Sequence, residues 1–99
     1  VLAAPIYFYS KTAQLKAVID RTYAFYNELA GKTFYFIVTC GAPDASYTET
    51  MLAALRGFTC CVPESKEGGV VLGVDSMEAG DVRKTAAVAE AYEMGRGIL

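Results

Sequence analysis

Histidine is absent from the 99 residues. That absence removes Ser-His-Asp and Cys-His triads and any histidine-ligated metal. Clustered positive charge is missing too. Nine Lys/Arg stand against eleven Asp/Glu for a net charge of −2, and the only basic pair is Arg83-Lys84. A nucleic-acid surface rests on clustered cations, so none is expected. No apolar run comes near the ~20 residues that a membrane span needs. The longest are Val1-to-Tyr9 and Phe34-to-Val38, and nothing is expected to cross a bilayer. Cysteine is scarce and odd in number. Cys60 and Cys61 are adjacent, a spacing at which a disulfide ring is strained, and Cys40 stands alone. The chain therefore reads as reduced and cytoplasmic. Repeats and low-complexity tracts are absent. Val1-Leu2-Ala3-Ala4 carries neither a Met nor a charged signal-peptide region, and reads as an opening inside a domain.

What is present is globular composition, 54% apolar with 20% charged residues. The apolar run Val1-to-Tyr9 predicts a strand. Leu15, Val18, Ile19, Thr22 and Tyr26 then fall on one face of a 3.6-residue period, which predicts a helix over 12–29 capped by Ser10 or Thr12 and closed by Gly31. Thr33 to Thr39 is β-branched and aromatic throughout, as in a strand buried on both faces. Ser46-Tyr47-Thr48-Glu49 has capping-box spacing and predicts a helix over 47–59. Val70 to Val74 predicts a third strand, and Asp81 reads as the N-cap of a helix over 81–98. Three strands alternating with three helices make the fold class α/β with a parallel sheet. Right-handed crossovers put the first two helices on one face. One remaining helix does not hide three strands, so another segment or a second chain is expected over the rest.

Ligands of open α/β sheets bind at the carboxyl ends of the strands. That directs attention to Ala4-Pro5-Ile6-Tyr7-Phe8-Tyr9-Ser10. Pro5 ends or bends the strand. Tyr7, Phe8 and Tyr9 offer flat apolar faces suited to a planar ring, and Ser10 with the amides of the next helix suits polar or anionic atoms. The same residues also fit an aromatic strand end packed under its own helix.

This stretch, followed by Ala13-Gln14-Leu15-Lys16 and Ile19-Asp20-Arg21, resembles the P-(I/V)-Y-F…S-x-x-(A/G)-x-L-K…I-D-R pattern of the flavodoxin-like NAD(P)H-dependent FMN reductases and their iron–sulfur flavoprotein relatives. Gly31-Lys32 leading into Phe34-to-Thr39 is similar to that family's next strand. Gly80-Asp81-Val82 with Ala91-Tyr92-Glu93-Met94-Gly95 is similar to its final helix.

The resemblance implies a flavodoxin-like three-layer α/β/α fold of strand order 2-1-3-4-5, with residues 1–99 supplying the last three βα units as the C-terminal part of one domain. It implies that FMN lies over the strand ends. Pro5, Ile6, Tyr7, Phe8, Tyr9 and Ser10 would line its isoalloxazine and ribityl chain, and Thr39, Cys40, Gly41 and Ala42 would touch the other edge of the ring. NAD(P)H would be the co-substrate, its hydride passing to FMN and the electrons onward to a quinone, a flavin, or a nitro or azo compound. The chemistry belongs to the cofactor, so no catalytic side chain and no metal are assigned. The family's Ser/Thr/Arg-rich phosphate loop has no counterpart before Val1, so FMN is expected to be held weakly or not at all. The relatives' cysteine cluster is lacking, and no iron–sulfur centre is expected. The alternatives are a flavodoxin-type electron carrier and a non-enzymatic truncated or split subunit with an interaction role.

Other residues carry blander readings. Cys60-Cys61 read as small apolar residues at a helix end, Lys16 and Asp20 as a local i,i+4 pair, and Asp75, Glu78 and Asp81 as a turn with its cap. Among Tyr23, Phe25 and Tyr26 at least one is expected in an interface between copies, as a homo-oligomer of dimer type.

Overall fold

The computed structural model describes residues 1–98. Six elements follow in the expected alternation: β1 (Leu2–Pro5), α1 (Ala13–Arg21), β2 (Thr33–Thr39), α2 (Glu49–Thr59), β3 (Lys66–Gly73) and α3 (Ala87–Ile98). The strands form one parallel sheet in the order β1-β2-β3. Pro5 lies opposite Thr39, and Thr39 opposite Gly73. The three carboxyl ends are therefore level and hand their loops to one rim.

The pleat sends alternate side chains to opposite faces. On one face Ala4, Phe36 and Val38 pack with Met51, Leu52 and Leu55 of α2, and Leu15 and Ile19 of α1 close over them. Phe36, Val38, Met51 and Leu55 are all but sealed from solvent. Each such burial is worth about 2 kcal/mol. On the other face α3 lies over β3. Glycines there permit close approach: a Cβ on Gly69 would meet Met94 Sδ at 3.0 Å, and one on Gly73 would meet Val82 Cγ2 at 2.9 Å. Towards β1 this face is open. Ala3 is exposed, and Tyr35 and Ile37 are only half-buried. The outer edge of β1 pairs with no other strand among the described residues.

Several boundaries differ from expectation. The helix predicted over 12–29 stops at Arg21 and gives way to single 3-10 turns at Thr22–Ala24 and Tyr26–Leu29. The Thr22 hydroxyl donates to the Ile19 carbonyl at 2.7 Å, and Phe25 leaves the helical region, with φ −145° and ψ 19°. Hydroxyl competition for a helical carbonyl and a run of aromatics of low helix propensity both favour this break. Ser46 does not cap α2. The Asp44 carboxylate instead accepts from the Ser46 amide and hydroxyl, holding a 3-10 turn at Ala45–Thr48 ahead of the helix. Asp81 likewise caps no α-helix. It begins a 3-10 turn, and α3 starts at Ala87, whose amide donates to Thr85 Oγ1 at 3.2 Å. β3 begins at Lys66, before Val70, because Gly68 lets the Tyr35 ring sit where a side chain would stand.

Candidate functional site

The level strand ends carry a cleft of about 540 Å³. Its walls come from three loops. Pro5, Ile6, Tyr7, Phe8 and Tyr9 come from the first, Thr39, Cys40, Gly41, Ala42 and Tyr47 from the second, and Ser76 and Met77 from the third. The loops are stitched by backbone bonds that extend the sheet past its last pairs. Ile6 N donates to Thr39 O at 2.8 Å, Cys40 N to Gly73 O at 3.0 Å, Ser76 N to Cys40 O at 3.0 Å and Asp75 N to Ala42 O at 2.7 Å. The cleft floor is thus as rigid as the sheet.

The first loop is a hairpin closed by two bonds between Tyr7 and Ser10, at 3.0 and 3.1 Å. Its central residues, Phe8 and Tyr9, have φ of 49° and 64°. Two left-handed residues in succession are the mark of a type I′ turn, normally the place of Asn-Gly. Aromatic residues there are strained, and strain of this kind gathers at functional sites. The turn holds Phe8 wholly in solvent at the cleft mouth. Tyr9 stacks on Tyr47 across the second loop, centroids 6.4 Å apart and planes at 26°. On the far side Met77 lies over Gly41, where a Cβ would stand 2.6 Å from Met77 Cε.

Nine of the ten residues expected at the site, Pro5 through Tyr9 with Thr39, Cys40, Gly41 and Ala42, line this cleft. Ser10 does not. Its backbone closes the hairpin instead. Tyr47, Ser76 and Met77 were missed. The signal for the last two was available, because a third parallel strand must end on the same rim. Cys40 is buried, and its Sγ meets the Ala42 carbonyl at 3.7 Å. The Ser46 hydroxyl, with the Ser46 amide behind it, holds the Asp44 carboxyl below the ordinary aspartate range and anchors the second loop. None of the cleft-lining side chains carries a formal charge.

The NADPH-dependent FMN reductase family profile matches residues 1–67. The chain belongs to that family. Among solved structures it is similar to the Trp repressor binding protein from Bacillus subtilis, with a TM-score of 0.74 and 20% sequence identity. That match covers 92% of this chain and 59% of the other, so the chain spans about three fifths of that protein's length. The likeness shows a shared flavodoxin-like fold. A comparison with curated proteins returns no match.

The cleft of this FMN reductase family member can be tested against the cofactor that the family name implies. A site for a planar ring wants apolar walls and a few backbone polar groups in a volume of about 300–1,000 Å³. The cleft has that size and those walls. Among the described residues, the amides of Phe8, Tyr9, Gly41 and Ala42 donate no hydrogen bond within the protein. They are available to the carbonyl and nitrogen edge of a flavin. The ring fits. A phosphate finds no cationic side chain in the cleft wall.

No helix among the described residues is long and apolar enough to cross a membrane.

Proposed function

We propose that this chain holds the flavin ring of an FMN-dependent NAD(P)H oxidoreductase whose electrons go on to a quinone, a flavin, or a nitro or azo compound. The observation that carries the reading is the meeting of three strand-end loops on one uncharged, aromatic-walled cleft in a chain of this family. FMN, when bound, supplies the hydride and electron chemistry. The protein's part is placement. Tyr9 and Tyr47 form a stacked wall, the free amides of Gly41 and Ala42 supply polar contacts, and Phe8 and Met77 limit water at the mouth. No side chain in the cleft is needed as an acid or base. The three free thiols suit a reducing compartment such as the cytoplasm.

Flavin fluorescence, followed while FMN is titrated with the chain, tests this reading. Quenching is expected, with riboflavin bound within a few-fold of FMN because the cleft wall carries no cation for the phosphate. Tyr47→Ala is expected to weaken binding by about 2–10-fold, the value of one aromatic stack. An absence of quenching at high micromolar protein would refute the cofactor role and favour the non-enzymatic subunit. Quenching without NADPH oxidation across several acceptors would favour a carrier.

Self-association belongs to the same proposal. Val18, Tyr23 and Phe25 expose apolar surface on and just beyond α1, and Tyr23 stacks on Tyr26 with centroids 5.9 Å apart. Sedimentation equilibrium is expected to show dimers that Tyr23→Glu dissociates. A wild-type chain that stays monomeric at high concentration would refute it.

A further inference from the structure

α2 ends on two cysteines that the cleft does not use. The Cys60 amide donates to Arg56 O at 2.9 Å and the Cys61 amide to Phe58 O at 3.0 Å, so the backbone under both is fixed. Both sulfurs converge on a single atom, the Gly57 carbonyl oxygen, at 3.2 Å from Cys60 Sγ and 3.3 Å from Cys61 Sγ. Both side chains are exposed, in contrast to Cys40. They stand at a helix end as read from the sequence, and they are exposed there.

We propose that Cys60 and Cys61 form a two-thiol site for a soft, linearly coordinated metal ion, the class that contains monovalent copper and divalent mercury. The donor set makes the selection. Thiolates prefer soft ions. Among the described residues no group of three or more His, Cys, Asp or Glu could hold a metal, so zinc, which wants four ligands, is not satisfied. An ion content with two sulfurs is. Adjacent cysteines bridge each other only in a strained ring, which keeps the pair available as thiols.

Binding breaks two S–H bonds and forms two S–metal bonds, and the two protons pass to the buffer. Nothing is oxidised or reduced. A divalent ion gives a neutral product, whereas a monovalent ion leaves one negative charge. The site lies at the carboxyl end of α2, the negative end of the helix dipole. Cys61 also borders a cleft of about 640 Å³ between α1 and α2 whose apolar wall of Ile19, Tyr23, Tyr26, Ala54 and Phe58 is rimmed by Lys11, Lys16 and Asp20. The helix end favours the neutral product and hence mercury. The hydrogen-bonded Cys60 thiol holds the Cys61 thiol above its ordinary range.

The test uses the full reduced chain under argon with excess N-acetylcysteine, which strips ions held by one thiol. Mercury(II) and copper(I) are added in separate arms, and native mass spectrometry with proton release in weak buffer reads the result. One ion per monomer and two protons per ion are expected, with mercury the more tightly retained and added zinc displacing neither. Cys60→Ser and Cys61→Ser are each expected to lose the ion by at least tenfold with unchanged far-ultraviolet dichroism, although Cys40 remains. Retention in either single variant, displacement by zinc, or an ion found only between two chains would overturn the proposal.

Discussion

Replacing Phe8 by glycine should make the protein more stable, although Phe8 is the most exposed aromatic residue in the chain. Its φ of 49° places the Cβ against the following carbonyl oxygen. For a residue with a side chain that conformation costs about 1–2 kcal/mol. Glycine escapes the clash but gains about 0.4–1 kcal/mol of freedom in the unfolded chain, which counts against it. Nothing else is lost, because the side chain at 101% relative exposure is out of contact with the fold. The balance is a gain of about 0.5–1 kcal/mol, or about 2–8 °C in Tm for a domain of this size. Phe8→Ala keeps the Cβ and therefore the strain, so its Tm should stay close to wild type. Thermal melts of the three proteins by circular dichroism decide the matter. If Phe8→Gly melts at or below Phe8→Ala, the strain reasoning is wrong. Flavin titration of the same variants adds the functional half. Phe8→Gly should be the more stable protein and the weaker binder, since the turn spends stability to hold an aromatic side chain over the cleft mouth.

Two glycines should respond to alanine with opposite signs in urea unfolding. Gly68→Ala puts a Cβ 2.5 Å from two Tyr35 ring atoms and should cost about 1–3 kcal/mol, while Gly57→Ala enters open space within α2 and should add about 1 kcal/mol; equal midpoints would refute the packing argument. Stability should also carry a small acid-side dependence from Glu67, which accepts from Arg56 Nε at 2.7 Å and Nη2 at 2.8 Å. The Arg56 hydrogen bonds hold the Glu67 carboxyl below the ordinary glutamate range. A carboxyl lowered in the folded state stabilises above its unfolded pKa, and that contribution disappears as pH falls through the lowered folded value. Both side chains are substantially exposed, so the contribution is at most about 1 kcal/mol after screening. Glu67→Gln should unfold at a lower urea midpoint than wild type at neutral pH and at the same midpoint in strong acid. A gap that persists in acid would mean that the ion pair is not its source.

Much of this architecture was legible because the signals were local. Strands rich in β-branched and aromatic residues, separated by helical periods, gave six elements in order, and right-handed crossovers placed α1 and α2 together. The breaks were harder to see. Thr22 and Tyr26 keep the apolar period of a helix even though Phe25 interrupts its backbone. Ser46 fits a capping box by spacing, and only the Asp44 side chain, two residues upstream, shows why the box does not form. At the cleft, the Pro5-to-Ser10 loop could be found from a strand end, and Thr39 to Ala42 through the family resemblance. Tyr47 could not, because its place depends on stacking against Tyr9. The left-handed pair Phe8-Tyr9 was illegible in principle, as no propensity assigns two aromatics to a turn that favours glycine.

The open flank of β1 also has a colloidal consequence. Among the described residues, Leu2–Pro5 pairs with no strand on its outer side, and this stretch carries no charged side chain and has Pro5 alone to interrupt pairing. Natural sheets usually guard such an edge with lysine or a twist. A net charge of −2 offers little repulsion between molecules. Chains that meet edge to edge can therefore continue one another's sheets, and solutions of this protein should scatter light increasingly as pH approaches its pI of about 5.0. A single lysine at Ala3, exposed on that flank, is the smallest change that would keep the molecules apart.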